Sequence, residues 1–358
     1  MKKLIIKGMG KRYFSDKIVK WYVNNKRSLP WRDTTDPYRI WLSEVILQQT
    51  RVSQGLPYYH QFLQAFPSIQ DLADASEQQV LRLWQGLGYY TRARNLHKCA
   101  KTIVSDHEGK FPGTFDSLLT LPGIGEYTAA AIASFSFGEP VAVVDGNVFR
   151  ILSRIFGIET PINSPEGKKH FGILANELLS RKDPALHNQA VMEFGAMHCT
   201  PQNPNCPECP FKNACVAYNK ELVDALPVKI KGKKSRKRYF FYLVVEKNKS
   251  LLMRQRREKD IWHGLFDFVL IETKKPIKAE NLIAEYSEWF KKAETKYVSK
   301  PYKHLLTHQT IHCRFILLQA TTGFSFPGKD FAFYSPEEVA ALPKPVLISR
   351  FLNEQNRN

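Results

Sequence analysis

The chain has 358 residues, 43% hydrophobic and 24% charged, which is long enough for two domains with separate cores. No apolar run approaches a membrane span, and Leu4, Ile5 and Ile6 are far too short a stretch for a signal-peptide core, so no membrane association and a cytoplasmic site are expected. A formal charge of +18 favours a polyanionic partner, because Lys and Arg that neutralise phosphates release condensed counterions, although a merely solvated basic surface would carry the same charge.

In chain order, the first ~225 residues read as helices, with Pro and Gly at their ends and no sustained two-residue alternation. Asp36-Pro37, Ser164-Pro165 and Asp183-Pro184 each pair a good N-cap with proline at the first helical position. The helix opening at Pro37 carries Ile40, Trp41, Leu42, Val45, Ile46 and Leu47, so it is predicted to be buried nearly all round, with Glu44 on the arc between Ile40 and Leu47. Further on, Leu121-Pro122-Gly123-Ile124-Gly125 precedes Glu126-Tyr127-Thr128 and the helix-forming Ala129 to Ala133. Two glycines around one apolar residue predict a tight turn between helices, whose following helix start can hold a phosphate on backbone N–H groups. Asp145 stands between a strand-like Val141 to Val144 and a helical Asn147 to Phe156, where it is expected to cap the helix and stay ionised.

Four of the six cysteines form Cys199-x6-Cys206-x2-Cys209-x5-Cys215 in a loop-like segment. Thiolates so closely spaced can converge on a metal centre, and a cytosolic chain has little use for disulfides. Ligand type alone leaves tetrahedral zinc and an iron-sulfur cluster equally open. Cys99 and Cys313 read as core thiols. Between Lys229 and Arg238 seven of ten residues are Lys or Arg, a self-repelling run expected to stay extended as a linker, here bounded as residues 227–238. Beyond it, Tyr239 to Glu246, Leu251 to Arg254, Leu265 to Ile271 and Thr310 to Gln319 read as strands, with helical patches at Ala279 to Phe290 and Ser335 to Leu342. Residues 1–226 are thus expected to form a helical domain and residues 239–358 an α+β domain.

Buried on its helix, Glu44 favours its neutral form, which suits a proton donor. The competing structural expectation is an ion pair with Arg32 or Arg51. One neutral acid beside one anion is the pair that glycosidic cleavage through a cationic sugar requires, and Glu44 with Asp145 supplies it.

The cysteine spacing and the Pro-Gly-x-Gly turn resemble the cluster loop (199–215) and the helix-hairpin-helix (121–128) of the endonuclease III superfamily, which implies a 4Fe-4S cluster on Cys199, Cys206, Cys209 and Cys215 and phosphate contacts at Gly123 and Gly125. Leu29-Pro30-Trp31-Arg32, Trp41-Leu42-Ser43-Glu44, Gln48-Gln49-Thr50, Gly86-Leu87-Gly88-Tyr89-Tyr90 and Val144-Asp145-Gly146-Asn147-Val148 together resemble the MutY-type adenine DNA glycosylases. That resemblance implies a bacterial, nucleoid-associated monomer acting on double-stranded DNA with adenine opposite 8-oxoguanine or guanine. It implies that Glu44 protonates a flipped adenine, that Asp145 stabilises the sugar cation, and that Tyr127 and Asn147 hold the site. Trp31, Arg32 and Gln189 become pocket contacts, while Gln49, Thr50, Leu87 and Tyr89 wedge the duplex beside the opposite base. Superfamily members that also cleave the backbone carry a lysine where Tyr127 stands, so a lyase acting on oxidised pyrimidines is the second reading and a non-catalytic lesion binder the third. Residues 239–358, with Trp262-His263-Gly264-Leu265-Phe266, resemble a Nudix-like domain that lacks the Glu-rich metal box. Its lesion-reading loop matches Leu306-Thr307-His308, where the family often has Phe-Ser-His, so Thr307 and His308 are expected to read the lesion.

Overall fold

The computed structural model describes residues 10–232, 235–286, 288, 292–326, 328 and 330–355. By contact the chain divides into two compact units, one built from residues up to Ala73 and from Lys98–Lys231, the other from Asp74–His97 and the residues from Gly232 onward. The helical part runs α1 (Lys11–Asn25), α2 (Pro37–Leu47), α3 (Val52–Ala65), α4 (Ile69–Asp74), α5 (Glu77–Leu83), α6 (Thr91–His107), α7 (Phe115–Leu118), α8 (Glu126–Phe137), α9 (Gly146–Phe156), α10 (Pro165–Leu178), α11 (Pro184–Met197) and α12 (Val216–Asn219). The three predicted starts are capped as read: Asp36, Ser164 and Asp183 accept from Tyr38, Gly167 and Leu186 N–H, with proline following each cap.

The strand-like run 141–144 forms no strand. Side chains take the two central N–H groups instead, Ala142 N–H donating to Asn176 Oδ1 at 3.0 Å and Val143 N–H to Asn188 Oδ1 at 3.1 Å. The segment therefore delivers Asp145 to the start of α9 as extended coil. Phe14, Ile18, Ile151, Phe171 and Phe194, all at most 1% exposed, gather α1, α9, α10 and α11 into one core, while α2 packs on α8.

In the second unit, β1 (Arg236–Lys247), β2 (Ser250–Gln255), β3 (Phe266–Asp267), β4 (Val269–Thr273), β5 (Ala293–Val298), β6 (Tyr302–Leu305), β7 (Gln309–Ala320) and β8 (Ala332–Tyr334) form a mixed sheet, accompanied by α13 (Ala279–Glu285), α14 (Pro336–Ala341) and α15 (Val346–Gln355). β1 and β7 run parallel, Tyr239 opposite His312 through Glu246 opposite Gln319. Phe240 to Val245 are all buried, the unbroken apolar run of a strand covered on both faces. The basic stretch ends earlier than expected: Arg236, Lys237 and Arg238 belong to β1, and Arg238 is buried in ion pairs with Asp260 and Glu272 at 2.7 and 2.6 Å. Lys233 and Lys234 lie outside the described residues, as do residues 287, 289 and 290 of the predicted helical patch.

Candidate active site

Glu44 lies on α2 and is 7% exposed, as its apolar arc predicts. Its Oε2 accepts from Tyr127 Oη at 2.5 Å, which ties α2 to the second residue of α8. Burial pushes its carboxyl up to about 7; the Tyr127 bond and Arg32 oppose the shift, and the neighbouring charge of Asp145 adds to it. The ion pair that would have neutralised Glu44 does not form. Arg32 instead donates from Nη1 and Nη2 to Glu193 Oε1 and Oε2 at 3.0 and 2.7 Å, and Arg27 donates to the same carboxylate from Nε and Nη2. Burial alone would raise Glu193, but these bonds hold it down at about 2. Two buried glutamates are thereby driven apart, one towards the neutral acid and one towards the permanent anion.

Asp145 is the N-cap of α9, with Oδ1 accepting from Asn147 and Val148 N–H at 2.9 and 2.8 Å and Oδ2 accepting from Asn147 Nδ2 at 2.7 Å. The cap is as predicted, and burial works against the ionised form that the cap favours. Burial raises the Asp145 pKa, and the three hydrogen bonds and Arg150 only partly offset that shift. Arg150, which sequence reasoning did not single out, donates from Nη2 to Asn147 Oδ1 at 2.9 Å and from Nε to the Cys199 carbonyl at 2.7 Å. Its spacing of three residues from Asn147 on a capped helix is the signal that could have found it.

Trp31 is buried and meets Tyr59 edge-on at 5.2 Å, while Gln189 Oε1 accepts from Tyr22 Oη at 2.8 Å. The Tyr22 ring also carries the Arg32 guanidinium at 5.6 Å, so Tyr22 links Gln189 to the Arg32–Glu193 pair. Beyond α2, Gln49 has φ 57 and Thr50 N–H donates to the Leu47 carbonyl. Gly123 turns through φ 75, and Gly125 is the exposed N-cap of α8 with open space around it. These are conditions under which α8 can offer backbone N–H groups to a phosphate. In the second unit, Leu87 is buried, whereas Tyr89, at φ 49, is 46% exposed and hydrogen-bonds Thr307 Oγ1. Thr307 and His308 are exposed in the turn between β6 and β7. Of this loop's two predicted wedge residues, only Tyr89 presents its side chain at the surface.

The four cysteines of 199–215 line one small pocket with Arg154, Phe194 and His198. Cys199 Sγ lies 3.6 Å from Arg154 Nη1, and Phe211 N–H donates to Cys209 Sγ at 3.4 Å. Burial pushes the thiol of Cys209 up to about 12 and also raises Cys206 and Cys215, each shift increased by the neighbouring cysteines. Among the described residues no three His, Cys, Asp or Glu side chains are disposed to hold a single metal ion. Four soft sulfur donors facing one pocket, with an arginine and N–H groups on them, nonetheless fit a group bound by four thiolates.

A buried carboxyl with a raised pKa on one helix, a second carboxyl capping another, and a two-glycine turn between them in sequence place a proton donor, a counter-charge and a phosphate-ready helix start in one helical unit. The model for HhH-GPD superfamily base excision DNA repair proteins matches residues 42–172, and that for NUDIX domains matches residues 240–354. Over 93% of its length the chain is 34% identical to an adenine DNA glycosylase of Buchnera aphidicola (subsp. Schizaphis graminum), covering 96% of that relative; it is 43% identical to the Homo sapiens adenine DNA glycosylase over 57% of this chain and 39% of that one. A thermostable thymine-DNA glycosylase structure superposes at TM-score 0.55 with 29% identity, over 59% of this chain and 97% of that one. An endonuclease III–DNA complex shares the fold at TM-score 0.51 and 21% identity, over 60% and 99% of the two chains. The chain belongs to the adenine DNA glycosylases, enzymes of base excision repair. Among the described residues no helix is long and apolar enough to cross a membrane.

Proposed function

We propose that the enzyme acts as a monomer on double-stranded DNA and hydrolyses the N-glycosidic bond of adenine mispaired with 8-oxoguanine or guanine. The observation that carries this reading is Glu44: a carboxyl with its pKa raised to about 7, hydrogen-bonded to Tyr127 and close enough to Asp145 to feel its charge. With the adenine flipped out of the stack, Glu44 donates its proton to a ring nitrogen and makes the base a better leaving group. Positive charge then develops on the sugar. Asp145, oriented by the α9 N-terminus and by Asn147, meets that charge as a counter-ion or a transient nucleophile until water adds to the anomeric carbon and releases a proton, which completes the hydrolysis. Trp31, Arg32 and Gln189 line the adenine pocket, with Arg32 held in place by Glu193. Tyr127 offers no amine for a Schiff base, so release stops at the abasic site.

Gly123 and Gly125 hold a DNA phosphate, and Gln49, Thr50, Leu87 and Tyr89 contact the duplex around the lesion. Thr307 and His308 read the opposite base, which must be recognised separately because adenine itself is a normal base. Cys199, Cys206, Cys209 and Cys215 would hold a 4Fe-4S cluster. Four thiols that line one pocket supply the soft donor set such a group takes. Such a cluster supplies cross-linking of the 199–215 loop.

The test is alkaline strand nicking on duplexes carrying adenine opposite 8-oxoguanine, guanine or thymine. Wild type is expected to act on the first two and spare the third. Glu44→Gln is expected to bind the mispaired duplex and release no adenine, since the amide keeps the shape but holds no acidic proton. Near-normal turnover by Glu44→Gln rules out the proposed acid.

A further inference from the structure

Residues 74–97 lie in sequence between α2, which carries Glu44, and α8 and α9, which carry Tyr127 and follow Asp145, yet they pack into one compact unit with the residues from Gly232 onward. The loop at their centre is braced internally. Trp84 Nε1 donates to the Gly88 carbonyl at 2.9 Å, and the Arg92 guanidinium lies 5.0 Å from the Trp84 ring and 5.6 Å from that of Tyr89. Gly86, Gly88 and Tyr89 have φ of 108, 73 and 49, and the last is a conformation that a tyrosine holds only when its surroundings impose it.

The same loop is tied down at both ends. Gln85, immediately before it, accepts through Oε1 from Lys344 N–H at 3.0 Å and donates through Nε2 to Ser349 Oγ at 3.0 Å. Arg94, beyond it, donates from Nη1 to the His263 carbonyl at 2.6 Å. A methyl group on Gly264 would come within 3.2 Å of both Glu77 Oε1 and Leu81 Cδ1, so the 262–264 turn is seated directly on α5. Between the two ties, Tyr89 Oη meets Thr307 Oγ1. No bond in this set involves Glu44, Tyr127 or Asp145.

We propose that Gln85 and Arg94 are positioning residues for opposite-base discrimination: they dock the 86–90 loop on the C-terminal domain, so that Tyr89 and Thr307 form one preassembled reading surface before DNA arrives. The inference rests on the preference for 8-oxoguanine proposed above. Ordering a free loop on binding costs about 1–2 kcal/mol per residue, and a docked loop has met that cost on folding. The gain applies to contacts with the opposite base, not to proton transfer from Glu44. Loosening the ties therefore lowers the advantage of 8-oxoguanine over guanine while leaving excision opposite guanine in place.

The experiment measures single-turnover adenine release by the full-length protein from duplexes with adenine opposite 8-oxoguanine and opposite guanine, for wild type, Gln85→Met, Gln85→Glu and Arg94→Ala. In Gln85→Met and Arg94→Ala the ratio of the two rates is expected to fall roughly tenfold, the scale of one buried hydrogen bond lost with its partner stranded, while the rate opposite guanine changes by less than about twofold. Gln85→Glu should restore the ratio, because one carboxylate oxygen still accepts from Lys344 N–H and the other can accept from the Ser349 hydroxyl. Equal slowing on both duplexes, with a lower melting temperature, is the signature of a merely structural contact and overturns the proposal. If Gln85→Met does not fold, Ser349→Ala removes one end of the tie alone, and an unchanged ratio there overturns it as well. A wild type with no preference defeats the 8-oxoguanine reading and the inference with it; a wild-type preference kept by both variants defeats only the positioning role.

Discussion

Glu44 and Glu193 show how one residue type is given two protonation states within one unit. Both are buried, at 7% and 1% exposure, and burial alone would raise both pKa values. Glu193 faces two guanidinium groups and falls to about 2; Glu44 faces a phenol and another carboxyl and rises to about 7. The consequences for stability have opposite signs. Because the Glu44 pKa is raised from 4.5, its neutral form is favoured by folding, and the resulting contribution is complete below 4.5 and lost as pH rises through about 7. Because the Glu193 pKa is lowered from 4.5, its contribution is complete above that value and lost as pH falls towards 2. Glu44→Gln is accordingly expected to stabilise the protein on the order of 3 kcal/mol near pH 8 and by almost nothing near pH 4, as read from urea unfolding at the two pH values. The wild-type excision rate should fall as pH rises through about 7, as Glu44 loses its proton. A pH-independent stability difference would show that Glu44 is not titrating where its environment places it. The burial of Glu44 was legible from the apolar arc of α2. Its lack of a cationic partner was not, because the competitor for Arg32 is Glu193, 161 residues away, and no local pattern reports so distant a pair.

At the scale of elements, α9 joins the second carboxylate to the cysteine loop. Its N-cap is Asp145, its first turn holds Asn147, and one further turn brings Arg150 to Cys199 and Gly195 carbonyls. Arg154 then donates to the carbonyls of Thr200 at 2.7 Å, Pro201 at 3.2 Å, Val223 at 3.0 Å and Leu226 at 3.1 Å, and approaches Cys199 Sγ. This planar fork satisfies backbone carbonyls just after Cys199 and beyond Cys215, which an ammonium cannot do. Arg154→Lys is expected to cost roughly 3 kcal/mol of stability by stranding buried carbonyls. Visible absorbance per chain, the mark of the iron-sulfur group proposed above, should fall in parallel. A variant with wild-type melting and colour would show that the arginine is not what holds the loop. Helices with marked caps, β1 and β7 with their long apolar runs, and β2 with its short one were readable from the sequence. β5 was not: Glu294 to Tyr297 are exposed, so no alternation reports the strand. β6 and β8 are too short to carry a pattern. Helix α15 did leave a signal, with Leu347, Ile348 and Phe351 buried at helical spacing after Pro345. The extended run before Asp145 mimicked a strand because β-branched residues suit any extended backbone, whereas its partners are asparagine side chains from α10 and α11.

For the whole molecule, the change of unit at Lys231/Gly232 falls inside the basic stretch, and a second one in the helical part has no such mark. Charge and composition place a boundary near residues 227–238, but contact assigns Asp74–His97 to the C-terminal unit. Sequence cannot announce this, since Val80, Leu81, Trp84 and Leu96 are as buried as any core residues and look the same whichever core they join. The consequence is testable by removing everything from Gly232 onward. Such a fragment keeps Glu44, Tyr127, Asp145 and the four cysteines, so adenine release is expected to survive. It loses Lys344, Ser349, His263 and Gly264, to which Gln85, Arg94 and α5 are tied in the intact chain. Backbone amides of residues 77–96 should therefore exchange with solvent at least a hundredfold faster than in the full-length protein, the effect of losing about 3 kcal/mol of local protection, while α2, α8 and α9 stay protected. The fragment should also excise adenine opposite guanine and opposite 8-oxoguanine at nearly equal rates, because neither Thr307 nor a docked Tyr89 remains to tell the two apart. If residues 77–96 stay as protected in the fragment as in the intact chain and the preference persists, the segment is held by the catalytic unit and opposite-base reading lies with Thr50, Leu87 and Tyr89 alone.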